Sequence, residues 1–368
     1  MTEREPRPRP EILTIPAYAG GEAKLPGTSR VIKLSSNEGA FVPPASVREA
    51  YIRAADQLNR YPDGSSAELR RAIGERFGLD PDRIVCGTGS EELITLLCHA
   101  YAGPGATIVM SRHGFSMYRI SGTYAGSRVV KAPERDYVAD VDNMLAAMTP
   151  DTRLVFITNP NNPTGTLLPQ REIERLHRSL PAHVLLVIDA AYADYVQAAD
   201  YNPGTKLANA TNNVFMLRTF SKIYCLAGMR VGWGYGPAGV IDALNRVRGV
   251  FNVNVAALAA AVAALAEVDW IARLRTHNAT WRAKLSASLR AAGIAVCPSE
   301  ANFVLADFGS AEKAGEANRF LRSRGIIVRG MASYDLPHCL RITVGTEPEC
   351  IAVAEGLAAF MARKVAAR

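Results

Sequence analysis

The sequence predicts an α/β protein with a mixed, largely parallel sheet covered by helices on both faces, and a smaller α+β domain after it. Apolar runs typical of buried strands alternate with segments of helical spacing. Polar residues follow several of these runs directly, at the strand ends where open α/β sheets bind ligands. The predicted strands of this sheet are 107–110, 128–130, 154–157, 184–188 and 214–217.

The chain is long enough for two domains. It has 368 residues, of which 48% are hydrophobic. We expect residues 1–35 to form an N-terminal arm and a segment of the smaller domain. Residues 36–265 are predicted to form the large domain, and residues 266–368 the small C-terminal domain. A long helix over 268–292 is expected to join the two.

Composition and charge narrow the class of partner. The formal net charge is +7, and Lys and Arg are scattered among acidic residues, which disfavours a nucleic-acid partner and suits anionic small molecules. The six cysteines show neither a CxxC pair nor metal-ligand spacing, so we predict reduced thiols and no metal site. No signal peptide or long apolar span is apparent, which predicts a cytoplasmic protein without a membrane partner.

The strongest chemical signal is a single lysine. Lys222 follows the buried strand 214–217 and lies among small hydroxyl residues, Thr219 and Ser221. A lysine removed from water has a lowered pKa and becomes a nucleophile towards an aldehyde. Arg230 and the hydroxyl groups could hold a phosphate. A reactive amine beside a phosphate site is what pyridoxal 5′-phosphate (PLP) requires. The alternative is an ordinary surface lysine after a strand.

Two other strand ends favour the cofactor interpretation. Asp189 follows the apolar run 184–188, and a carboxylate buried there needs a partner such as a protonated pyridine nitrogen. Asn162 lies in a loop rich in Asn and Pro after the strand 154–157, where its amide could hydrogen-bond a ring hydroxyl. A helix cap and an ordinary turn are the simpler explanations. They do not account for Asn162, Asp189 and Lys222 at successive strand ends.

In combination these features resemble the fold-type I PLP-dependent aminotransferases, and within them the histidinol-phosphate aminotransferase family with its aromatic aminotransferase relatives. The matching residues extend over nearly the whole chain: Leu34–Glu38, Arg60–Gly64, Asn161–Gly165, Asp189 with Tyr192, Ser221–Lys222 with Arg230, Phe251–Asn254 and Leu340–Gly345. The family usually has a glutamate where this chain has Ala190, which affects a contact beside the site and not the chemistry. The resemblance implies a seven-stranded sheet in the large domain.

The resemblance also implies a PLP site in which Lys222 and Asp189 are the catalytic residues. Lys222 would carry the cofactor, Asp189 would pair with its ring nitrogen, and Phe115 would stack on the ring. Glycines before the predicted helix 93–102 would let backbone amides face the phosphate. The full set of expected cofactor-binding residues is Tyr61, Gly89, Ser90, Glu91, Phe115, Asn162, Asp189, Tyr192, Thr219, Ser221, Lys222 and Arg230.

A second implied set binds the substrate. Its members are Tyr18, Asn37, Asn162, Arg329 and Arg341. Tyr18 would lie on an N-terminal arm that reaches over the active site. Arg329 and Arg341 would converge on the acid group of the substrate, a carboxylate or a phosphate. Without the resemblance, an arginine beside apolar strand residues usually faces solvent.

The resemblance implies a homodimer with shared active sites. Tyr61 lies in the turn 61–64 and would reach the PLP phosphate of the neighbouring subunit. By composition, Ser65 or Ser66 is expected to cap the helix 68–77 that follows this turn.

The implied reaction moves an amino group between L-histidinol phosphate, or an aromatic amino acid, and 2-oxoglutarate, which becomes L-glutamate. Lys222 would move the α-proton as base and then as acid in a ping-pong sequence. The residues do not separate the two donors. A PLP-dependent decarboxylase of a phosphorylated amino acid is an alternative, and it would release carbon dioxide without an oxo acid. A PLP-binding regulator would need a DNA-binding domain, for which the expected tail, residues 1–10, leaves no room.

Overall fold

The computed structural model describes residues 7–16, 22–26 and 31–366. The strands are β1 Ile32–Leu34, β2 Ile84–Gly87, β3 Thr107–Ser111, β4 Arg128–Ala132, β5 Glu134–Arg135, β6 Val138–Ala139, β7 Thr152–Thr158, β8 Leu185–Asp189, β9 Val214–Thr219, β10 Gly232–Tyr235, β11 Ala295–Val296, β12 Phe303–Asp307, β13 Ile326–Met331 and β14 Leu336–Thr343. The helices are α1 Ala45–Ala54, α2 Ala67–Phe77, α3 Ser90–Tyr101, α4 Ser116–Ala125, α5 Val141–Ala146, α6 Gln170–Ser179, α7 Thr205–Ala210, α8 Ala238–Val247, α9 Val255–Ala266, α10 Val268–Ala291, α11 Ala311–Arg322 and α12 Glu347–Ala366.

The larger sheet has seven strands in the order β2-β10-β9-β8-β7-β3-β4. Strand β10 runs antiparallel to both of its neighbours, and the other pairings are parallel. The predicted mixed, largely parallel seven-stranded sheet is therefore confirmed. Because parallel strands end at the same edge, the residues after β2, β3, β7, β8 and β9 meet on one side of the sheet.

Helices bury both faces of this sheet. In β8, Leu185 and Val187 belong to a core that includes residues of α3 and α8. The alternate residues, Leu186 and Ile188, belong to a second core with the alanine-rich face of α9. Strands covered on both faces read as continuous apolar runs, which is why the sequence pattern identified them.

The smaller sheet has the order β1-β13-β14-β12-β11, with β1 parallel to β13 and the other pairs antiparallel. The long helix α10 contributes to both cores: Ile271 and Leu274 pack with the large sheet, and Leu285 and Leu289 pack with the small sheet. This helix thus connects the two sheets, as expected. The bounds 1–35, 36–265 and 266–368 stay a prediction.

Two local expectations were wrong. Neither Ser65 nor Ser66 caps α2: Ser66 has a φ of 51° and makes no capping bond, while Asp63 accepts hydrogen bonds from the amides of Ser65 at 2.9 Å and Ala67 at 2.7 Å. A carboxylate from the preceding turn thus satisfies the first helical amides. Helix α3 begins at Ser90 and not at Leu93; Gly89 holds its N-cap position with a φ of 77° and a ψ of 164°, a conformation open to glycine.

Within the described ranges, no single helix is both long and apolar enough to cross a membrane. Helices α9 and α10 meet the length and composition criterion only as a pair, and they are bent by 80° relative to each other.

Candidate active site

A cavity of about 240 Å³ opens at the carboxyl edge of the large sheet. It is lined by Ser36, Glu38, Ser90, Glu91, Phe115, Thr158, Asn162, Asp189, Ala191, Tyr192, Thr219, Ser221, Lys222, Ala227 and Arg230. Every predicted cofactor-binding residue except Tyr61 and Gly89 lies on this lining. Residues far apart in the chain meet here because β2, β3, β7, β8 and β9 end at this edge.

Lys222 lies just beyond the end of β9, in the wall of the cavity. Burial lowers the pKa of its amine to about 8, and the positive charges of Arg341 and Arg230 act in the same direction. The carboxylates of Glu38 and Asp189 oppose this shift. A substantial fraction of the amine is therefore neutral near physiological pH, as a nucleophile or proton-transfer group requires.

Asp189 is the last residue of β8 and is 3% exposed. Its Oδ2 accepts a hydrogen bond from the Tyr118 hydroxyl at 2.8 Å, and its Oδ1 accepts one from the amide of Ala191 at 3.1 Å. Burial raises the pKa of the Asp189 carboxyl, while these two hydrogen bonds and the charge of Lys222 oppose the rise. The carboxylate is held in one orientation at the floor of the cavity, where a cationic group would stabilise it.

Tyr118 was not among the residues predicted for the site. This residue lies in α4, is fully buried, and stacks on Phe156 with ring centroids 4.4 Å apart. Its hydroxyl also lies 2.7 Å from Oγ1 of Thr158, the last residue of β7. Burial, followed by the charge of Asp189, raises the pKa of Tyr118 well above its usual value, so the hydroxyl keeps its proton as a donor. No local pattern in the sequence pointed to this contact.

One corner of the cavity suits an anion. The segment Gly87–Ser90, called here the phosphate loop, leads from β2 into α3, so the first amides of a twelve-residue helix lie at the cavity. Gly89 has a φ of 77°, and a Cβ atom there would lie 2.6 Å from Nη2 of Arg230. The guanidinium of Arg230 lies 3.4 Å from Oγ of Ser221 and 3.7 Å from a carboxylate oxygen of Glu91. Because side chains rarely adopt a φ of 77°, the backbone itself favours glycine at this point of close approach to the arginine.

Arg341 of the small sheet and Asn37 of the segment after β1 lie beside this cavity and hydrogen-bond residues that line it. Arg341, in β14, is 7% exposed and donates hydrogen bonds to Oδ1 of Asn162 and, at 3.0 Å, to the carbonyl of Ser35. Asn37 is fully buried and donates to the Tyr192 hydroxyl at 3.0 Å. The guanidinium of Arg341 therefore lies beside Asn162, a residue that lines the cavity.

Among the described residues, Arg329 and Tyr61 are also absent from the lining of the cavity of their own chain. Tyr18 lies outside the described residues. Arg329 pairs with Arg341 in the β13–β14 ladder but does not line the cavity. Tyr61 is 82% exposed and stacks on Phe251, with ring centroids 4.5 Å apart.

Among the described residues, one group of side chains with metal-ligand chemistry lies elsewhere. The donor atoms of Asp307, His338 and Cys339 are within 4.8 Å of one another. The Tyr137 hydroxyl lies 3.3 Å from Asp307 Oδ2 and 3.2 Å from His338 Nε2. These hydrogen bonds explain why the side chains lie together: they form a contact between the β5–β6 hairpin and the small sheet.

Comparison with known proteins defines the class to which this fold and site belong. The family model described as aminotransferase class I and II matches residues 29–357. The chain is 58% identical over 358 residues to the histidinol-phosphate aminotransferase of Granulibacter bethesdensis, and the match covers 97% of both chains. It is 52% identical to that of Paracoccus denitrificans, with 98% of both chains covered. A solved structure of histidinol-phosphate aminotransferase from Sinorhizobium meliloti in complex with pyridoxal-5′-phosphate has a TM-score of 0.91 and 30% identity, with 98% of this chain and 99% of that chain covered.

The chain therefore belongs to the class I and II aminotransferases, and among them to the histidinol-phosphate aminotransferase family. The expected fold-type I architecture is confirmed, as is the expected class of enzyme. Enzymes of this family depend on PLP, and the cavity fits that cofactor. Lys222 offers a partly neutral amine, Asp189 offers a buried carboxylate, and Arg230 together with the N-terminus of α3 offers donors for a phosphate.

Proposed function

We propose that this protein transfers the amino group of L-histidinol phosphate to 2-oxoglutarate, a step of histidine biosynthesis, with PLP attached to Lys222. The observation that carries the proposal is the meeting of a lysine of pKa about 8 with the buried carboxylate of Asp189 in one cavity. The names of the relatives support the choice of donor, because the identity is 50% or more over nearly the full length.

Several residues of the cavity would bind the cofactor, each at a different part of it. Ser221, Arg230 and the phosphate loop would bind the cofactor phosphate through charge and backbone amides. Phe115 would cover the ring and exclude water, and Asn162 would hydrogen-bond the ring hydroxyl. Asp189 would hold a proton on the ring nitrogen, because a buried carboxylate stabilises a cation in contact with it.

The amine of Lys222 is the proposed proton-transfer group. PLP supplies an electron-withdrawing ring that stabilises the electron pair left when the α-proton departs. The donor amine would displace the amine of Lys222 from the cofactor. The freed Lys222 amine would then take the α-proton as a base and deliver it to C4′ of the cofactor as an acid. Arg341 and Arg329 would bind the acid group of the substrate, and Tyr18, Asn37 and Asn162 would complete the substrate site. Donor and oxo acid then use one site in turn, which is a ping-pong sequence.

Turnover measurements test the proposed donor. L-Histidinol phosphate, phenylalanine and tyrosine should be compared at a fixed concentration of 2-oxoglutarate, with glutamate as the product measured. The proposal predicts the highest kcat/KM for L-histidinol phosphate. A higher value for an aromatic amino acid would make this an aromatic aminotransferase. Release of carbon dioxide without an oxo acid would make it a decarboxylase.

We also propose a homodimer in which Tyr61 of each chain completes the partner's site. Tyr61 and Phe251 form an exposed aromatic pair, and Val42, Ile52 and Val250 are exposed apolar residues, from 63% to 75% accessible. Exposed apolar surface of this kind is typical of an interface between subunits.

Mixed dimers test the sharing of sites. Lys222→Ala and Tyr61→Ala chains, each impaired alone, should be unfolded and refolded together. A mixed dimer would have one site with a native lysine and a native tyrosine, so activity should exceed the sum of the separate preparations. An active monomer, or no gain on mixing, would contradict the proposal.

The expected compartment is the cytoplasm. All six cysteines are free thiols, which a reducing compartment maintains. Cell fractionation followed by immunodetection would test the assignment.

A further inference from the structure

The phosphate loop is held by contacts that lie outside the cavity. The amide of Thr88, at the centre of the loop, donates a hydrogen bond to Oε2 of Glu92 at 2.6 Å. The Thr88 hydroxyl donates to the backbone carbonyl of Asn252. Both partners are absent from the cavity lining. The two contacts therefore act on the shape of the loop and not on a ligand directly.

Asn252 joins these contacts into one network. Its Nδ2 donates to the same Glu92 oxygen at 2.8 Å and to the carbonyl of Cys86 in β2 at 3.1 Å. One carboxylate oxygen thus accepts from a backbone amide of the loop and from a side chain more than a hundred residues away. Hydrogen bonds to a charged acceptor are stronger than those to a neutral one, so this oxygen is an effective anchor.

The same segment carries the ring that contacts Tyr61. Phe251 precedes Asn252 and stacks on Tyr61. The turn that bears Tyr61 packs closely on this segment, because a Cβ atom at Gly64 would lie 2.5 Å from the carbonyl of Val250. The segment 250–252 therefore contacts both the exposed aromatic pair and the phosphate loop.

We infer that Glu92 and Asn252 are positioning residues, which hold the phosphate loop in the shape that binds the cofactor and join it to the Tyr61–Phe251 pair. The inference rests on the proposed PLP site. Glu92 is negatively charged, so its charge alone would weaken the binding of a phosphate nearby. The hydrogen bonds act in the opposite sense, by directing the loop amides. These two effects predict opposite results when the carboxylate is removed, which makes the role testable.

The test measures the rate at which PLP leaves the purified holoenzyme, from the absorbance of the cofactor after dilution into a scavenger of free PLP. Glu92→Gln keeps an oxygen that can accept both hydrogen bonds, so it should release PLP no faster than the native protein. Glu92→Leu removes the charge and the acceptor together, and release should be about 10-fold faster. Release that is slower than native in Glu92→Leu would show that only the charge matters and would overturn the inference.

A second pair of variants tests Asn252 and includes a rescue. Asn252→Asp places a carboxylate against Glu92 and loses the donor, so PLP release should be at least about 10-fold faster. In the double variant that combines Glu92→Gln with Asn252→Asp, the introduced glutamine amide removes the repulsion and can donate to the introduced carboxylate, while the bond to the Cys86 carbonyl stays lost, so release should be slower than in Asn252→Asp but not fully native. If the double variant releases PLP as fast as Asn252→Asp, Asn252 does not act through Glu92 and the inference fails.

Asn213→Asp provides the matched control. Asn213 also donates its amide to a backbone carbonyl at an end of the large sheet, that of Val184 at 3.1 Å, but at the opposite edge. This variant should release PLP at the native rate. Equal acceleration in Asn213→Asp and Asn252→Asp would indicate a general loss of stability and would contradict the inference. The release measurement uses no substrate. If the protein binds PLP but does not act on L-histidinol phosphate, the proposed donor is refuted, and the PLP release rates of the variants can still be compared.

Discussion

The hydroxyl of Tyr118 donates a hydrogen bond to Oδ2 of Asp189 at 2.8 Å, and both side chains are almost completely buried. The bond stabilises the charged form of Asp189 against the effect of burial, which raises the pKa of this carboxyl. In the proposed mechanism Asp189 acts as an anion, so Tyr118 contributes to the activity without contacting substrate.

Tyr118→Phe should lower kcat about 10-fold, since a hydrogen bond to a charged group contributes roughly 1.5–3 kcal/mol. Its loss raises the pKa of Asp189, so the acidic limb of the kcat profile should move to higher pH. The KM for the donor should change little. The measurement is kcat and KM as functions of pH, with Tyr101→Phe as a control hydroxyl deletion in α3. An unmoved acidic limb would mean that Tyr118 only fills space.

Asp189→Asn should retain PLP and lose most transamination. An asparagine amide cannot stabilise a proton on the ring nitrogen, and more than about 4 kcal/mol of transition-state stabilisation is at stake, so kcat should fall by about a thousandfold or more. Cofactor content from absorbance and single-turnover rates would separate binding from chemistry. Turnover close to native would reduce Asp189 to a structural residue at the end of β8.

Arg341→Lys should raise the KM of both donor and oxo acid while cofactor content stays constant. The planar guanidinium holds Asn162 and can bind a carboxylate or phosphate through two donors, which an ammonium group cannot reproduce. Loss of such a contact costs roughly 2–5 kcal/mol when the charge left behind is buried. Steady-state kinetics with each substrate varied in turn is the measurement. Unchanged KM values for both would remove Arg341 from the substrate site.

The reactivity of Lys222 should depend on pH in a specific way when PLP has been removed. Below its pKa of about 8 the amine is protonated and unreactive, and above it the amine is neutral, so arylation by 1-fluoro-2,4-dinitrobenzene, which does not itself titrate in this range, should rise through pH 8 and then level off. An ordinary lysine would show a midpoint at about 10.4. Peptide mass spectrometry would give the rate at each pH.

Arg341→Gln provides the matching test of the cause. After burial, the charge of Arg341 makes the largest contribution to the lowered pKa of Lys222, so its removal should move the midpoint to higher pH. A native midpoint at about 10.4, or no shift in the variant, would contradict the electrostatic explanation.

The fold and the centre of the site were predictable because their signals are local. Buried parallel strands appear as apolar runs, and Asn162, Asp189 and Lys222 follow such runs directly. Tyr118, Glu92 and Asn252 were missed because the contacts that give them roles cross between separate elements. The predicted cap of α2 was wrong for a related reason: Ser66 holds the N-cap position in a left-handed conformation without a side-chain capping bond, and Asp63 in the preceding turn accepts the amide hydrogen bonds instead.

Arg329 and Tyr61 show a different limit. In the structure Arg329 is the ladder partner of Arg341, which hydrogen-bonds Asn162 of the cavity lining, and the strand pattern alone did not rank the two arginines. Tyr61 lies on an exposed turn, and its proposed role depends on a second chain. Only the family resemblance implied a role for these two residues, and their absence from the cavity lining of their own chain became visible in the fold.

Attachment of the cofactor to Lys222 is the most direct test of the account. The purified protein should be reduced with borohydride, digested and mapped by mass spectrometry, with the Lys222→Ala variant treated in parallel. The account predicts a phosphopyridoxyl group on the peptide that contains Lys222 and none in the variant. A label on another lysine of the native protein, or an equal label in Lys222→Ala, would contradict it.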